Sequence, residues 1–398
     1  MHGATIPCMS PRRPPAPAPL DALIITAPGL EALARRELAA LDIAVTVEEP
    51  GALQVQLSRR DVMRANLQLR TASRVVVRLA HFKALTFGDV EKHARRVAWD
   101  TVVAAGRRVR FRVTCRKSRL YHSGAVAQRL MEALLLRVPG VMPAGAPGDD
   151  DEEGHGEQLF IVRLFRDQLV LSADTSGELL HRRGYRQATA KAPLRETLAA
   201  AMLLGADWDG STALADPMCG AGTIPIEAAM IARRMAPGLN RSFAFEQWPG
   251  HDAATWRAVR MEATLDVQPH APVAILASDR DAGAVAATRG NAERAGVAGD
   301  LTIAQQALSA LQPPLGPGLL VVNPPYGIRV GDKKPLRNLF AQLGNVARAG
   351  APGWTLAMLS ADRDLERQVG LPFTERWKST NGGIPVRLVT AEVKADGH

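Results

Sequence analysis

One stretch constrains this chain more than any other: Leu319-Leu320-Val321-Val322-Asn323-Pro324-Pro325-Tyr326-Gly327. Four consecutive apolar residues read as a strand buried on both faces, as in a parallel sheet covered by helices. The two prolines fix their own φ and bias the residue before each toward extended backbone. The strand therefore ends in a rigid turn. An amide side chain and an aromatic ring are held at its carboxyl end, where open α/β sheets bind ligands. The Asn323 side-chain oxygen and nearby backbone carbonyls can accept both hydrogens of a planar exocyclic NH2, and the Tyr326 ring can stack on the base that carries it. Such an amine is a poor nucleophile because its lone pair is delocalised. Holding it with acceptors against an electrophile is the catalysis open to a site without a covalent step. An ordinary strand-ending proline turn is the plain alternative.

Two further stretches favour the ligand site. Residues 213–223, Ala-Leu-Ala-Asp-Pro-Met-Cys-Gly-Ala-Gly-Thr, read as a strand, a glycine turn and the start of a helix running from about residue 224 to 235. The glycines let backbone approach a ligand, and the helix start offers free N–H groups. Many nucleotide folds share such a loop, so alone it is weak evidence. Residues 273–279 then read as a strand ending in Asp279, a carboxylate suited to a pair of ribose hydroxyls. That order fits a doubly wound sheet.

Together these stretches resemble the class I S-adenosylmethionine-dependent methyltransferases with an Asn-Pro-Pro-Tyr site. The loop Asp216-Pro217-Met218-Cys219-Gly220-Ala221-Gly222-Thr223-Ile224-Pro225-Ile226-Glu227-Ala228 narrows the resemblance to the THUMP-containing RNA guanine-N2 methyltransferases. So do Arg183-Gly184-Tyr185-Arg186, Ala192-Pro193-Leu194-Arg195-Glu196, Phe245-Glu246-Gln247-Trp248-Pro249-Gly250 and Asn381-Gly382-Gly383-Ile384. Within that family the chain is most similar to the bacterial enzymes acting on large-subunit ribosomal RNA. The resemblance implies S-adenosyl-L-methionine as cofactor, held by Asp216, Pro217, Cys219, Gly220, Gly222, Thr223, Asp279, Arg280, Gln306 and Asn323. It implies an amine site at Asn323, Pro324, Pro325 and Tyr326. Related enzymes often place an Asp beside the adenine; here the chain reads Ala304-Gln305-Gln306-Ala307, and a glutamine amide can still pair with the adenine edge.

The implied architecture is α/β. A Rossmann-like seven-stranded methyltransferase domain (193–398) follows a ferredoxin-like module (21–58), a THUMP RNA-binding domain (59–175) and a linker (176–192). Residues 1–20 read as a disordered Pro-rich tail without the apolar core of a signal peptide. The second methyltransferase domain of some family members is not expected. No apolar run approaches the roughly 20 residues of a membrane span. Cys8, Cys115 and Cys219 show no paired spacing, so neither a zinc site nor a disulfide framework is indicated, and a reducing cytoplasm fits. Cys219 as a nucleophile on a pyrimidine is a sharper reading than a small packing residue, but amine chemistry needs no covalent adduct.

The net charge of +9 points to a polyanionic partner. Residues 59–119 hold 17 Lys and Arg against 4 Asp and Glu, an excess of 17 − 4 = 13, so the remainder carries 9 − 13 = −4. Within this region Arg108-Val109-Arg110-Phe111-Arg112-Val113 alternates, with valines and phenylalanine on one face and arginines on the other. Arg108, Arg110, Arg112, Arg116, Lys117 and Arg119 are candidate RNA contacts, and Arg183 and Tyr185 join them by family position. A solvated basic face is the alternative, and for Arg183 a hinge. Ser123 reads as the N-cap of a helix over 125–136, and His122 as a local hydrogen-bonding residue. The acidic run at 149–153 reads as a solvated loop, not a metal site, because consecutive carboxylates fix no ligand geometry.

Further elements are expected as strands near 22–25, 45, 55, 74–79, 107–115, 159–166 and 168–174, with helices over 29–41, 62–69 and 89–97. In the catalytic domain helices are expected over 195–204, 282–295 and 336–347, and strands near 301–304, 355–359, 373–378 and 388–393. The reading is an RNA guanine-N2 methyltransferase acting on ribosomal RNA. The alternatives are a transfer-RNA enzyme of the same build and a non-catalytic RNA-binding or assembly factor. The oligomeric state is not legible.

Overall fold

The computed structural model describes residues 18–145, 156–186, 194–326 and 333–394. The start of the Pro-rich tail, the acidic run at 149–153, part of the expected linker and Gly327 lie outside the described residues.

The first half comprises β1 (Leu20–Thr26), α1 (Glu31–Ala40), β2 (Val45–Glu49), β3 (Ala52–Leu57), α2 (Arg59–Gln68), β4 (Ala72–Lys83), α3 (Phe87–Ala94), β5 (Arg108–Arg116), α4 (Ser123–Arg137), β6 (Met142–Pro143), β7 (Gln158–Phe165) and β8 (Gln168–Asp174). They form one eight-stranded sheet, in the order β2-β3-β1-β4-β8-β7-β5-β6. The boundary expected at residue 58 is therefore no break in the sheet: β4 pairs with β1 on one side and β8 on the other. β4 is twice the expected length because a register shift between Arg78 and Ala80 interrupts its alternation. Capping boxes fix the starts of α2 (Ser58 with Asp61) and α3 (Thr86 with Asp89). Helix α4 differs from expectation: Ser123 is its first residue, and His122 precedes it without a side-chain cap bond.

The second half comprises α5 (Glu196–Gly205), β9 (Ala213–Asp216), α6 (Thr223–Ala232), α7 (Ala253–Leu265), β10 (Ile275–Asp279), α8 (Ala282–Ala295), β11 (Leu301–Gln305), β12 (Gly318–Val322), α9 (Lys333–Gly350), β13 (Thr355–Ser360), α10 (Arg363–Gln368), β14 (Thr374–Asn381) and β15 (Ile384–Glu392). Its seven-stranded sheet runs β11-β10-β9-β12-β13-β15-β14. The first five strands are parallel, and β15 and β14 close the edge as an antiparallel hairpin. The strand order reverses between β9 and β12, the switch point where doubly wound sheets take ligands. Apolar side chains cover both sheet faces, with Ile226, Met202 and Val321 in one cluster and Leu320, Phe340 and Trp354 in another. Helix α7 is absent from the sequence reading. With Phe243 and Phe245 it packs Trp256 and Val259 into the core of the first module, beside Leu53 and Met63. The two halves thus share apolar core.

Candidate active site

The glycine turn lies between β9 and α6. Gly220 and Gly222 take φ of +54° and +82°, a left-handed conformation that glycine adopts without steric cost. At Gly222 a Cβ would stand 2.8 Å from the Thr288 methyl group, whereas at Gly220 it would meet nothing within 4 Å. The backbone at Gly220 therefore borders open space that a ligand can enter. Its N–H donates to Asp279 Oδ2 at 3.0 Å, and Asp281 N–H donates to Asp279 Oδ1 at 3.0 Å. Each carboxylate oxygen offers two lone-pair sites, so Asp279 is pinned by backbone and still able to accept ribose hydroxyls.

Asp216, at the end of β9, is 1% exposed and accepts the Met218 N–H at 3.1 Å. Burial pushes its carboxyl up to about 8; the Met218 amide opposes the shift, and the Asp279 charge adds to it. Two carboxyl groups flanking one glycine suit a ligand that brings hydroxyls and a cationic group. Thr223 opens α6, and its hydroxyl accepts from Arg186 Nη2 at 2.7 Å. The Cys219 thiol is pushed up to about 12, by burial first and then by the Asp216 charge, and Sγ lies 3.6 Å from Thr288 Oγ1. Cys219 is thus buried with its thiol against Thr288, the placement of a small packing residue. Gln306 sits beside Asp279: its N–H donates to the Asp279 carbonyl at 3.0 Å, and its amide reaches Ser278 Oγ at 3.3 Å. Arg280 is exposed, and its carbonyl accepts from the Gln305 amide at 3.3 Å.

Asn323 follows β12, whose neighbours are β9 and β13. The turn therefore stands at the same sheet edge as the glycine loop. Tyr326 Oη donates to Asn323 Oδ1 at 2.8 Å. Asn381, at the end of β14, donates through Nδ2 to Tyr326 Oη at 3.0 Å. The Tyr326 ring is half-buried against the core cluster that includes Ile224 and Val321. Burial pushes its phenol up to about 12, against the opposing Asn381 hydrogen bond. Tyr326 is thus a neutral donor near pH 7 and not a base. An amide oxygen carries two lone pairs, so Asn323 Oδ1 keeps acceptor capacity for a ligand. Asn381 and Arg186 stand inside sequence motifs that the family resemblance rests on, and neither is among the site residues expected from the sequence.

The expected RNA contacts divide. Arg183 and Tyr185 are buried, at 3% and 2% exposure, and form no outer surface. Glu227 on α6 is fully buried, and a buried carboxylate demands a partner. Arg183 Nε pairs with it at 3.3 Å, and Tyr185 Oη donates to the same oxygen at 3.3 Å. Arg183 Nη2 also donates to the Arg70 carbonyl at 2.7 Å, tying α6 to the first half. Arg108 and Arg110 are also engaged, pairing with Glu157 at 3.2 and 2.9 Å.

Arg108 stays exposed despite that pair, as do Arg112, Arg116, Lys117 and Arg119. The loop of the last three is stapled to the β7–β8 turn: Asp167 N–H donates to Ser118 Oγ at 3.0 Å, and Arg119 N–H to Asp167 Oδ1 at 2.8 Å. That staple brings Arg166 alongside, with its guanidinium 5.2 Å from the Phe165 ring centre and that of Arg163 at 5.7 Å. Tyr121, 73% exposed, lies 4.4 Å from the His122 ring. Phe165 and Tyr121 gave no sequence signal, being single aromatics without periodicity.

A cavity of about 450 Å3 opens where the two halves meet, lined by Leu20, Met63, Val77, Phe245 and Trp248 among others. None of the glycine-loop, Asp279 or Asn323 residues lines it, and the chemistry belongs to the sheet edge. Among the described residues no helix is long and apolar enough to cross a membrane.

Comparison with known proteins gives the family. Residues 183–390 match the family described as "RMKL-like, methyltransferase domain", and residues 21–76 match "RlmL ferredoxin-like domain". The ribosomal RNA large subunit methyltransferase K/L of Alteromonas mediterranea is 34% identical over 92% of this chain. The chain spans only 53% of that relative's length. "Putative RNA methyltransferase YpsC" of Bacillus subtilis is 33% identical over 91% of this chain and 93% of its own. The crystal structure of SMU.472 complexed with SAH superposes with a TM-score of 0.84 at 29% identity, covering 96% of this chain and 100% of that one. The matched region is just over half of the chain and contains the whole edge that carries the two carboxyls, the glycine turn and Asn323; on that ground the chain belongs to the RMKL-like methyltransferase family.

Proposed function

We propose that this chain transfers a methyl group from S-adenosyl-L-methionine to the exocyclic N2 amine of a guanosine in RNA, with large-subunit ribosomal RNA the favoured substrate. The observation that carries the reading is the placement of Asn323 Oδ1 and Tyr326 at the sheet edge that also holds Gly220, Asp216 and Asp279. Asp279 accepts the ribose hydroxyls, Asp216 faces the cationic part of the cofactor, and Gly220 admits it closely. When bound, S-adenosyl-L-methionine supplies an electrophilic methyl group on a sulfonium. The residues of the chain then hold the amine rather than deprotonate it. Asn323 Oδ1 accepts one amine hydrogen, and the half-buried Tyr326 ring contacts the base. No strong base is required, since the proton becomes acidic only as the C–N bond forms, and it leaves to solvent. The base must be extruded or unpaired, because a paired guanine has its amine edge occupied.

RNA is the favoured polyanion because the exposed cations cluster on one rigid unit. Arg116, Lys117, Arg119 and Arg166 surround the stapled loop, with Phe165 and Tyr121 as stacking surfaces beside it. This region is the part of the chain that resembles a THUMP domain. The ribosomal choice rests on the name of the Alteromonas relative.

Mass-spectrometric mapping of modified guanosines, with and without the gene, tests the reading. Loss of one N2-methylguanosine from large-subunit ribosomal RNA supports it. Loss confined to transfer RNA moves the substrate, and no loss in either RNA removes the guanine-N2 reading.

A further inference from the structure

The last hairpin of the catalytic sheet carries a side chain into the amine site. β14 and β15 are joined by Gly382 and Gly383, with φ of +57° and +83°, a two-residue turn that glycine takes at no steric cost. Asn381 pairs with Ile384 across it, so strand register fixes where the Asn381 side chain begins. From there Nδ2 reaches Tyr326 Oη at 3.0 Å, and Oη reaches Asn323 Oδ1 at 2.8 Å.

Asn381 presents Nδ2, not Oδ1, to the Tyr326 hydroxyl, and that placement gives this chain of hydrogen bonds its direction. An amide NH2 only donates, and a phenol has a single proton. With Asn381 donating, Oη is an acceptor on that side and its proton is left for Asn323. Asn323 must then present its oxygen, not its NH2, to the tyrosine. The amide is locked with Oδ1 at a known place, and the second lone pair of that oxygen is available to the target amine. Reversing the hydroxyl would let the amide turn over and exchange the positions of Oδ1 and Nδ2. A donor would then stand where the amine needs an acceptor.

We propose that Asn381 is a positioning residue that sets the polarity of the Asn381–Tyr326–Asn323 hydrogen-bond chain and so fixes the acceptor face of the amine site. The inference rests on the reading of Asn323 as the residue that holds the amine. It assigns the hairpin tip a task in the reaction, acting only through the Tyr326 hydroxyl.

Two substitutions at one position separate polarity from structure. Asn381→Asp keeps the shape and can still bond Tyr326, but a carboxylate only accepts, so the phenol proton turns away from Asn323. Asn381→Ala removes the hydrogen bond without reversing it. Under the proposal Asn381→Asp costs more in kcat than Asn381→Ala, roughly ten-fold against roughly three-fold on the usual worth of one hydrogen bond. The RNA KM, the cofactor affinity and the unfolding temperature stay near wild type. A merely structural role gives the opposite order, because Asp retains a partner for Tyr326 and Ala does not.

In a Tyr326→Phe background neither substitution should lower kcat further. An Ala loss equal to or greater than the Asp loss, or losses that persist without the hydroxyl, would overturn the proposal. Should Asn381→Asp not fold, the cycle of Asn381→Ala with Tyr326→Phe decides alone: additive losses reject the proposal, and non-additive losses support it. Asn323→Ala run alongside keeps the underlying reading separate. A fully active Asn323→Ala fails the amine site itself, whereas an impaired Asn323→Ala beside a wild-type Asn381→Asp fails only the role of Asn381.

Discussion

Arg183→Ala should unfold this protein more readily and leave its RNA affinity alone. The Arg183 and Glu227 side chains are 2% and 0% exposed, and Nε stands 3.3 Å from Oε1. The second Glu227 oxygen has no hydrogen-bond partner, so the carboxylate's hydrogen bonds come from Arg183 and from the Tyr185 hydroxyl, which shares Oε1 at 3.3 Å, with the half-buried Arg70 adding its charge without a hydrogen bond. Removing the guanidinium leaves a buried, under-partnered carboxylate and also frees the Arg70 carbonyl, which accepts from Nη2 at 2.7 Å. Breaking a buried pair by deleting one partner costs about 3–5 kcal/mol. In a domain of roughly 200 residues 1 kcal/mol moves the unfolding midpoint by about 2–4 °C, so a fall on the order of 10 °C is expected. Differential scanning calorimetry gives the midpoint, and RNA titrations at several salt concentrations give the affinity and its slope. A Glu227→Leu change in the Arg183→Met background should recover most of the loss, because a well-packed apolar pair needs no counter-charge. An Arg183→Ala protein with a wild-type midpoint, weaker RNA binding and a shallower salt slope would refute the buried-pair account and return Arg183 to the RNA surface.

The other predictions concern charge. Reversing Arg116, Lys117 and Arg119 together should weaken RNA binding and flatten its salt dependence, since every phosphate the loop no longer neutralises takes about one released counterion out of the slope; a wild-type slope would reduce the loop to a solvated face. Arg110→Glu should instead destabilise the fold, because it sets a carboxylate against Glu157, now 2.9 Å from Nε of Arg110; an unchanged midpoint with RNA binding abolished would contradict this. Cofactor affinity should rise with pH. Burial holds the Asp216 carboxyl up at about 8, against roughly 4 unfolded. The folded group therefore keeps a proton that the unfolded one has released, and Asp216 makes stability fall as pH rises from about 4 to 8. A cationic ligand group favours the ionised form, so below pH 8 binding must expel that proton, and affinity should climb until about pH 8 and then level off. Calorimetry in buffers of different ionisation enthalpy reads the proton release, and its absence would remove Asp216 from contact with a cation.

The legible parts of this chain were those whose cause is local. The strand before Asn323, the glycine turn and the strand ending in Asp279 carry their signals within a few residues, and they stand side by side at one sheet edge. Alternation in β5 marked its apolar face, with Val109 buried and Phe111 and Val113 packed partly on the same core, whereas on the other face Arg108 and Arg112 are exposed and Arg110 is drawn in by Glu157. How far an individual cation is engaged was not legible, because that depends on distant partners: Glu157 for Arg110 and for the still exposed Arg108, and Glu227 for the buried Arg183. An arginine beside a tyrosine reads as a nucleic-acid contact until a buried carboxylate arrives from another helix. Helix α7 escaped for a different reason. Its Asp252 N-cap is visible in the sequence, but only Trp256 and Val259 are buried, too short an apolar stripe to register as a helical period. Asn323 and Tyr326 drew notice in the sequence as one turn, whereas Asn381 was silent, since its hydrogen bond to Tyr326 spans 55 residues.

The most direct test of the central claim is single-turnover methylation by Asn323→Ala on the mapped RNA fragment. The substitution removes the amide that accepts from Tyr326 and leaves both prolines, the Tyr326 ring, the glycine turn and Asp279. Cofactor and RNA affinities should stay near wild type, because the proposed function assigns the first to Asp216, Gly220 and Asp279 and the second to the stapled cationic loop. The chemical step should fall by roughly 100-fold or more, the scale of removing one positioned polar group from a reacting centre. Methylation at the wild-type rate with both substrates saturating would show that the Asn-Pro-Pro-Tyr turn does not hold the amine, and would contradict the account.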